Sequence, residues 1–217
     1  DDVPPVEQSP WVQEGDLFQL GEHRILCGDA SDADSMARLM GDAMIDEVAT
    51  SPPYLDQRAY GIGDFDWDDL MLGAFEQIFN HLAQGANIVV NLGLVYRNRK
   101  VELYWANWLE WMESKGWSLF GWYVWDKGSG MPGEWNGRLA PSHEFVFHFN
   151  KDGAFHARKW VKTHTAASSM HTFRQRDGTL RGPTSPDKIG QAWKIPDSVI
   201  RVGVHHGADS GHPAMFS

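Results

Sequence analysis

The sequence is short of cysteine, of basic residues and of long apolar runs, and each shortage excludes a class of protein. The single cysteine, Cys27, cannot form a disulfide within the chain, and such low usage is consistent with a reduced, cytoplasmic setting. No run of about 18 apolar residues is present, so no segment is expected to span a membrane. Lys and Arg number 19 against 29 Asp and Glu, which at first argues against nucleic acid as a partner.

The few basic residues are concentrated in one segment. Between Phe155 and Lys194, eight Lys and Arg stand against two Asp. A basic segment on an acidic chain favours one surface that faces a polyanion. The alternative is a solvated loop that happens to be basic.

Apolar strand-like runs alternate with segments of helical spacing. The sequence predicts strands at 23–29, 45–50, 86–92, 117–125, 143–149 and 197–204, and helices at 31–41, 68–83 and 101–116. Ser31 and Asp34 have the spacing of a capping box for the first helix. The alternation predicts an α/β fold with a parallel, Rossmann-like sheet and helices on both faces.

The predicted strand IDEVAT ends abruptly at Ser51-Pro52-Pro53-Tyr54. Ligand sites in open parallel sheets form at the carboxyl ends of strands, and each proline fixes its own φ and extends the residue before it. Proline has no N–H, so the nearby carbonyls can stay free to accept hydrogen bonds from a ligand. Rigid acceptors beside the flat ring of Tyr54 suit a planar group that carries an amine. The alternative is a Pro-Pro turn with its aromatic residue packed in the core.

This motif, with several others in order, resembles those of the β-class DNA amino-methyltransferases. ATSPPY is similar to their catalytic motif, VVNLGLVYRN and WYVWDKGSGMPGEW…HEFVFHF to their later strands, and HPAMFS to their His-Pro-Ala-x-Phe motif. The segment GDLFQLGEHRILCGDASD resembles the start of bacterial and phage methyltransferases that often follow a ParB-like domain. The resemblance covers nearly the whole chain from Gly15 onward. It implies a cytoplasmic enzyme of restriction-modification type that uses S-adenosylmethionine and acts on double-stranded DNA.

The resemblance also implies roles for individual residues. Ser51, Pro52, Pro53 and Tyr54 are the expected catalytic residues: the Ser51 hydroxyl and the Pro52 carbonyl accept from the target amine, and Tyr54 stacks on the extruded base. Asp29, Ser51, His212 and Pro213 are expected to contact the cofactor, although Asp29 has the alternative role of capping the next helix. His143-Glu144 resembles a family motif that would orient the catalytic loop, or is a plain strand position.

The basic segment lies where this family places its target-recognition region. The residues expected to bind DNA are Arg158, Lys159, Lys162, Arg174, Arg176 and Arg181. The chain is accordingly expected to divide into a linker (1–15), a catalytic core (16–150), a target-recognition region (151–197) and a return to the core with the His-Pro-Ala motif (198–217). No metal site is expected, because His205, His206 and His212 have no acid or cysteine at ligand spacing.

Serine at the first position of the motif accompanies cytosine N4 in most of this family, and aspartate accompanies adenine N6. The expected product is therefore N4-methylcytosine, with N6-methyladenine as the alternative. The family's glycine motif, which follows His-Pro-Ala, is not found before Ser217. The chain is thus expected to be truncated before that motif, or to be half of a split enzyme whose partner supplies it. A DNA-binding half without activity of its own is the remaining alternative.

Overall fold

The computed structural model describes residues 11–55, 65–130, 133–151, 161–162, 173–181 and 193–201. The chain forms two compact units, one of Asp1–Gly153 with Val199–Ser217 and one of Ala154–Ser198. Among the described residues, no helix has the length and apolar character needed to cross a membrane.

The larger unit contains three helices and most of the strands in the described part of the chain. Its strands are β1 (Leu17–Leu20), β2 (His23–Leu26), β3 (Ile45–Thr50), β4 (Leu82–Leu92), β5 (Val95–Arg97), β6 (Lys100–Glu102), β7 (Ser118–Asp126), β8 (His143–Asn150) and β13 (Val199–Arg201), and its helices are α1 (Ala33–Met40), α2 (Trp67–Phe79) and α3 (Ala106–Ser114). The smaller unit contains β9 (Val161–Lys162), β10 (Phe173–Arg174), β11 (Leu180–Arg181) and β12 (Trp193–Lys194).

Five strands form the central sheet in the order β13-β7-β8-β4-β3. The pairs β3–β4 and β7–β13 are parallel, whereas β8 is antiparallel to both β4 and β7. The predicted α/β class is confirmed, but the sheet is mixed rather than parallel throughout. The reason is the connection between β7 and β8, in which residues 127–142 contain no described helix. Without a crossover helix, the chain returns beside the strand it has just left and runs in the opposite direction.

One face of the sheet packs against α2 and α3. Ile88, Val90 and Leu92 of β4 point to this face at every second position, and all three are fully buried. They pair with Phe149, Phe147 and Phe145 of β8. The helices contribute Trp67, Met71, Phe75, Trp108 and Met112 to the same core. Fully burying each such side chain stabilises the fold by roughly 1.5–3 kcal/mol.

The opposite face of the sheet carries a chain of polar side chains. The Asn87 Oδ1 atom lies 3.0 Å from both the Asn150 Nδ2 atom and the His148 Nε2 atom, and the His148 Nδ1 atom lies 3.0 Å from the Tyr123 hydroxyl. Burial lowers the pKa of His148 below its ordinary value, and the negative charge of Glu47 opposes that shift. His148 is therefore held neutral between two hydrogen-bonding partners.

Four local predictions are wrong. The predicted helix 68–83 ends at Phe79, and Leu82 and Ala83 belong to β4. The predicted strand 23–29 is shorter and lies in a separate antiparallel hairpin with β1, not in the central sheet. Asp32 rather than Ser31 caps α1, through a 2.8 Å bond from the Ser35 N–H. The third helix starts at Ala106, because Val101 is paired in the β5–β6 hairpin.

Candidate active site

The Ser51–Tyr54 loop is held between β3 and the first turn of α2. β3 pairs with β4 up to Thr50, so the loop begins at the carboxyl end of a sheet strand, as predicted. The indole Nε1 of Trp67 donates to the Pro53 carbonyl at 2.8 Å. Within the described residues, the Pro52 carbonyl accepts no hydrogen bond. Of the two proline carbonyls, the one expected to receive a substrate amine is thus left available.

The hydroxyl of Tyr54 is the centre of a network that links three elements of the sheet to this loop. Tyr54 donates to the Glu144 Oε2 atom at 2.9 Å, and it accepts from the Asn91 Nδ2 atom at 2.7 Å. The Ser51 Oγ atom lies 3.0 Å from the same hydroxyl. Asn91 also donates to Glu144, and Lys127 pairs with the other carboxylate oxygen of Glu144. We call these five residues the Tyr54 network.

Each member of the Tyr54 network lies near the same edge of the sheet. Asn91 is close to the carboxyl end of β4, and Lys127 directly follows β7. Glu144 is at the start of β8, and its antiparallel direction brings that amino end to the carboxyl ends of its neighbours. The mixed sheet is therefore what places a carboxylate beside the Ser-Pro-Pro-Tyr loop.

The ring of Tyr54 lies directly on the backbone of Gly93. A Cβ atom at Gly93 would stand 2.6 Å from the Tyr54 Cε2 atom, closer than carbon atoms can approach. Glycine is thus required at this position for the ring to lie where it does. The carbonyl of Gly93 in turn accepts from the Tyr104 hydroxyl at 3.0 Å.

The electrostatics of the site keep Tyr54 protonated. Burial, and then the negative charge of Glu144, raise the pKa of Tyr54 well above its ordinary value. The ammonium group of Lys127 compensates the carboxylate, with the Lys127 and Glu144 side chains only 24% and 12% exposed. Lys127 also lies 5.3 Å from the centre of the Trp125 ring. The site thus contains the neutral hydroxyl of Tyr54 beside the ion pair of Lys127 and Glu144.

The structure places Asp29 in a loop of its own, outside the Tyr54 network. Its Oδ1 atom accepts from both the N–H and the hydroxyl of Ser31, each at 2.8 Å. Its Oδ2 atom accepts no hydrogen bond from the described residues, which leaves one carboxylate oxygen for a ligand hydroxyl or amine. His212 and Pro213, the other two residues expected to contact the cofactor, lie outside the described residues.

Four of the six predicted DNA-binding residues are described, all in the smaller unit. Lys162, Arg174 and Arg181 are on β9, β10 and β11, and Arg176 is exposed in the turn between β10 and β11. That turn is fixed by Asp177, whose Oδ1 atom accepts from the N–H and the hydroxyl of Thr179. Arg158 and Lys159 lie outside the described residues.

No group of three potential metal ligands is found in the part of the chain that the structure describes. The three histidines considered from the sequence, His205, His206 and His212, lie beyond it.

Sequence reasoning connected Glu144 with the catalytic loop but missed Asn91, Gly93 and Lys127. Asn91 interrupts the apolar run of β4, and a polar residue near the carboxyl end of a buried strand is a signal that could have been used. Lys127 has no such local signal. Its pairing with Glu144 depends on the registry of β7 with β8.

Comparison with known proteins gives one family match and several structural similarities. A sequence model described as "DNA methylase", of N6/N4 type, matches residues 45–217. No match was found among curated proteins.

The similar solved structures share little sequence with the chain. The cytosine-N4-specific PvuII DNA methyltransferase is 17% identical, with a TM-score of 0.46, over 78% of this chain and 55% of its own. The M1.HpyAVI–SAM complex is 14% identical, with a TM-score of 0.42, over 63% and 59%. A Thermus thermophilus protein described as a DNA modification methylase, complexed with S-adenosyl-L-methionine, is 22% identical, with a TM-score of 0.43, over 59% and 55%. The chain thus spans little more than half the length of these proteins.

Proposed function

Because the chain belongs to the DNA methylase family of N6/N4 type, whose sequence model matches residues 45–217, we propose that it acts in a DNA methyltransferase. The proposed reaction transfers a methyl group to the exocyclic amine of a base flipped out of double-stranded DNA. The proposed target is N4 of cytosine. The methyl donor is S-adenosylmethionine, which supplies a methyl group activated by its sulfonium charge.

The observation that carries the proposal is the pairing of two acceptors at one rigid loop. The Ser51 hydroxyl is fixed by its contact with Tyr54, and the Pro52 carbonyl has no partner among the described residues. The lone pair of an exocyclic amine is delocalised into the base and is poorly nucleophilic. Acceptors that bind both amine hydrogens favour a pyramidal nitrogen and direct its lone pair outward, an interaction that strengthens as the reaction proceeds.

Tyr54 is proposed as the stacking partner of the extruded base. Extrusion costs a few kcal/mol in lost stacking and pairing, and stacking on an aromatic side chain returns roughly 1–3 kcal/mol. The contact with Gly93 and the three hydrogen bonds to the hydroxyl hold the ring in one orientation. Because the Tyr54 ring is already held in one orientation, it does not have to be reoriented when the base binds.

Two side chains, those of Asp29 and Ser51, are proposed to contact S-adenosylmethionine. Asp29 keeps one carboxylate oxygen free of hydrogen bonds from the described residues, so it suits the hydroxyl or amine groups of an adenosine. Ser51 is itself one of the two acceptors proposed for the target amine, so it is also proposed to lie near the methyl group that the amine receives. DNA is proposed to bind through the basic residues between Arg158 and Arg181, which would contact phosphates and base edges.

The choice of cytosine rests on the serine at position 51. Its neutral hydroxyl brings no negative charge to the ring-nitrogen lone pair beside the target amine, which is N3 in cytosine and N1 in adenine. The carboxylate of Glu144 accepts from Tyr54 of the same loop and is paired with Lys127. Serine stands at this position in most cytosine-N4 members of the family that the chain resembles, and this is the reason for choosing cytosine as the target base.

Nucleoside mass spectrometry tests the proposal. DNA modified by the methyltransferase should contain N4-methylcytosine, and Ser51→Ala should reduce the rate strongly. Finding N6-methyladenine alone would refute the choice of base. Full activity of Ser51→Ala would refute the role of the hydroxyl.

A further inference from the structure

The contacts within the Tyr54 network determine which group donates and which accepts in each of its hydrogen bonds. The Glu144 Oε2 atom lies 2.6 Å from the Asn91 Nδ2 atom, and Lys127 contacts the other carboxylate oxygen. Both neighbours are donors, so Glu144 acts as an acceptor through both oxygens. Rotating the Asn91 amide would set its oxygen against that carboxylate, so the Nδ2 atom must face Glu144 and Tyr54.

The Tyr54 hydroxyl can therefore donate its single proton to only one neighbour, Glu144. The Oη atom of Tyr54 lies 2.9 Å from the Glu144 Oε2 atom, and two oxygens at that distance repel unless a proton lies between them. Glu144 is an acceptor, so Tyr54 must supply that proton. Its two lone pairs remain to accept from Asn91 and from Ser51, which matches the full capacity of a phenol.

The hydroxyl of Ser51 must then donate to Tyr54. Tyr54 has no second proton to offer, so the 3.0 Å contact between the two hydroxyls can form in one direction only. With its proton directed at Tyr54, Ser51 presents lone pairs on the rest of its surface. A hydroxyl that could serve as donor or acceptor is thereby restricted to accepting from the substrate.

We propose that Glu144 is a positioning residue that acts through Tyr54: it orients the Ser51 hydroxyl as an acceptor for the target amine and receives the proton that the amine releases. This inference rests on the proposed function. After the nitrogen–carbon bond forms and the donor's sulfur–carbon bond breaks, with its electron pair kept by sulfur, the amine nitrogen carries a positive charge and must lose one proton. That proton passes to the Ser51 Oγ atom, the Ser51 proton passes to Tyr54, and the Tyr54 proton passes to Glu144.

The proton count balances along this path. Ser51 and Tyr54 each gain one proton and lose one, so both end as neutral hydroxyls. Glu144 ends as a carboxylic acid, and the methylated amine ends neutral. Concerted movement spares Tyr54 from becoming a phenolate, a form that burial and the charge of Glu144 disfavour. The proton then leaves Glu144 for solvent before the next turnover.

Two substitutions and their combination test the inference in the full-length methyltransferase with S-adenosylmethionine and duplex DNA. Tyr54→Phe keeps the aromatic ring but removes the hydroxyl, and Glu144→Gln keeps the shape but removes the charge. Each should lower kcat about 100-fold, the lower end of the range for proton-transfer groups, with the KM for DNA unchanged. The double variant should be no slower than the slower single variant, because both break the same path.

A matched control and a binding measurement separate this role from a structural one. Glu76→Gln removes a carboxylate from an exposed pair with Lys115 and should leave kcat unchanged. DNA affinity of Tyr54→Phe should stay near wild type, because the ring keeps its contact with Gly93. Its melting temperature should fall by only a few degrees, the cost of the lost hydrogen bonds.

Additive effects in the double variant, or wild-type kcat in either single variant, would overturn the inference while the methyltransferase assignment stands. A rise in KM with an unchanged kcat would also overturn the inference. A wild-type enzyme that methylates no amine in DNA would instead refute the proposed function.

Discussion

Gly93→Ala is the sharpest test of the position that the structure gives to Tyr54. The added Cβ atom would lie 2.6 Å and 2.7 Å from two ring carbons of Tyr54, whereas such atoms normally stay about 3.5–4.0 Å apart. The ring must therefore move by about 1 Å. A shift of that size cannot preserve the hydroxyl's bonds of 2.7, 2.9 and 3.0 Å together.

The expected loss is larger in activity than in stability. Overpacking of this kind costs about 1–3 kcal/mol in the free energy of unfolding. A displacement of about 1 Å at reacting groups reduces the rate by about 100-fold. Chemical unfolding and single-turnover methylation measure the two effects separately.

Gly121→Ala is the matched control for Gly93→Ala. Its Cβ atom would clash with the ring of Tyr123, and none of its close contacts is with a residue of the Tyr54 network. It should therefore disturb packing while the single-turnover rate stays near that of wild type. A Gly93→Ala variant with the wild-type rate would show that the close ring contact is not needed for activity.

Three further results are expected. Tyr54→Ala should reduce turnover far more than DNA affinity, since the ring is proposed to stack on the flipped base and the phosphate contacts are proposed to lie elsewhere; an equal loss of non-specific binding would place Tyr54 outside the base pocket. Neutralising Arg174, Arg176 and Arg181 should weaken DNA binding and reduce its logarithmic salt slope by about 0.9 for each phosphate that is no longer neutralised, and an unchanged slope would put the DNA face elsewhere. Because the pKa of His148 is lowered in the folded state, its contribution to stability is present above its ordinary pKa and is lost as the pH falls through its folded-state pKa. The pH dependence of the free energy of unfolding should therefore flatten in His148→Gln. An NMR titration that gives His148 a raised pKa would contradict the expected direction of the shift.

Local patterns predicted the elements whose evidence lies within one stretch of sequence. The apolar run of β4 and the helical spacing of α2 are such cases, since each element buries apolar side chains in the core. The end of β3 at Ser51 was readable because proline imposes its geometry without help from the rest of the fold. The same local evidence failed for β2, whose apolar run gave no sign that its partner is β1 rather than the central sheet.

The Tyr54 network could not be derived from the sequence because its members are distant along the chain. Tyr54 and Glu144 are separated by 90 residues, and Asn91 and Glu144 by 53. Their meeting depends on β8 running antiparallel between β4 and β7, and the sequence was read as a parallel sheet. The direction of a single strand therefore decides whether a carboxylate reaches the Ser51–Tyr54 loop.

The core and the site are coupled through the pleat of β8. Phe145, Phe147 and Phe149 point to the face covered by α2 and α3, so Glu144 must point to the opposite face, with Asn91. A one-residue slip of β8 would bury the carboxylate against the helices and expose the phenylalanines. The apolar contacts that stabilise β8 in its register are thus the same contacts that hold Glu144 within reach of Tyr54. Substitutions that loosen the packing of Phe147, although it lies away from the loop, should consequently weaken the alignment of the Ser51 hydroxyl as well as the fold.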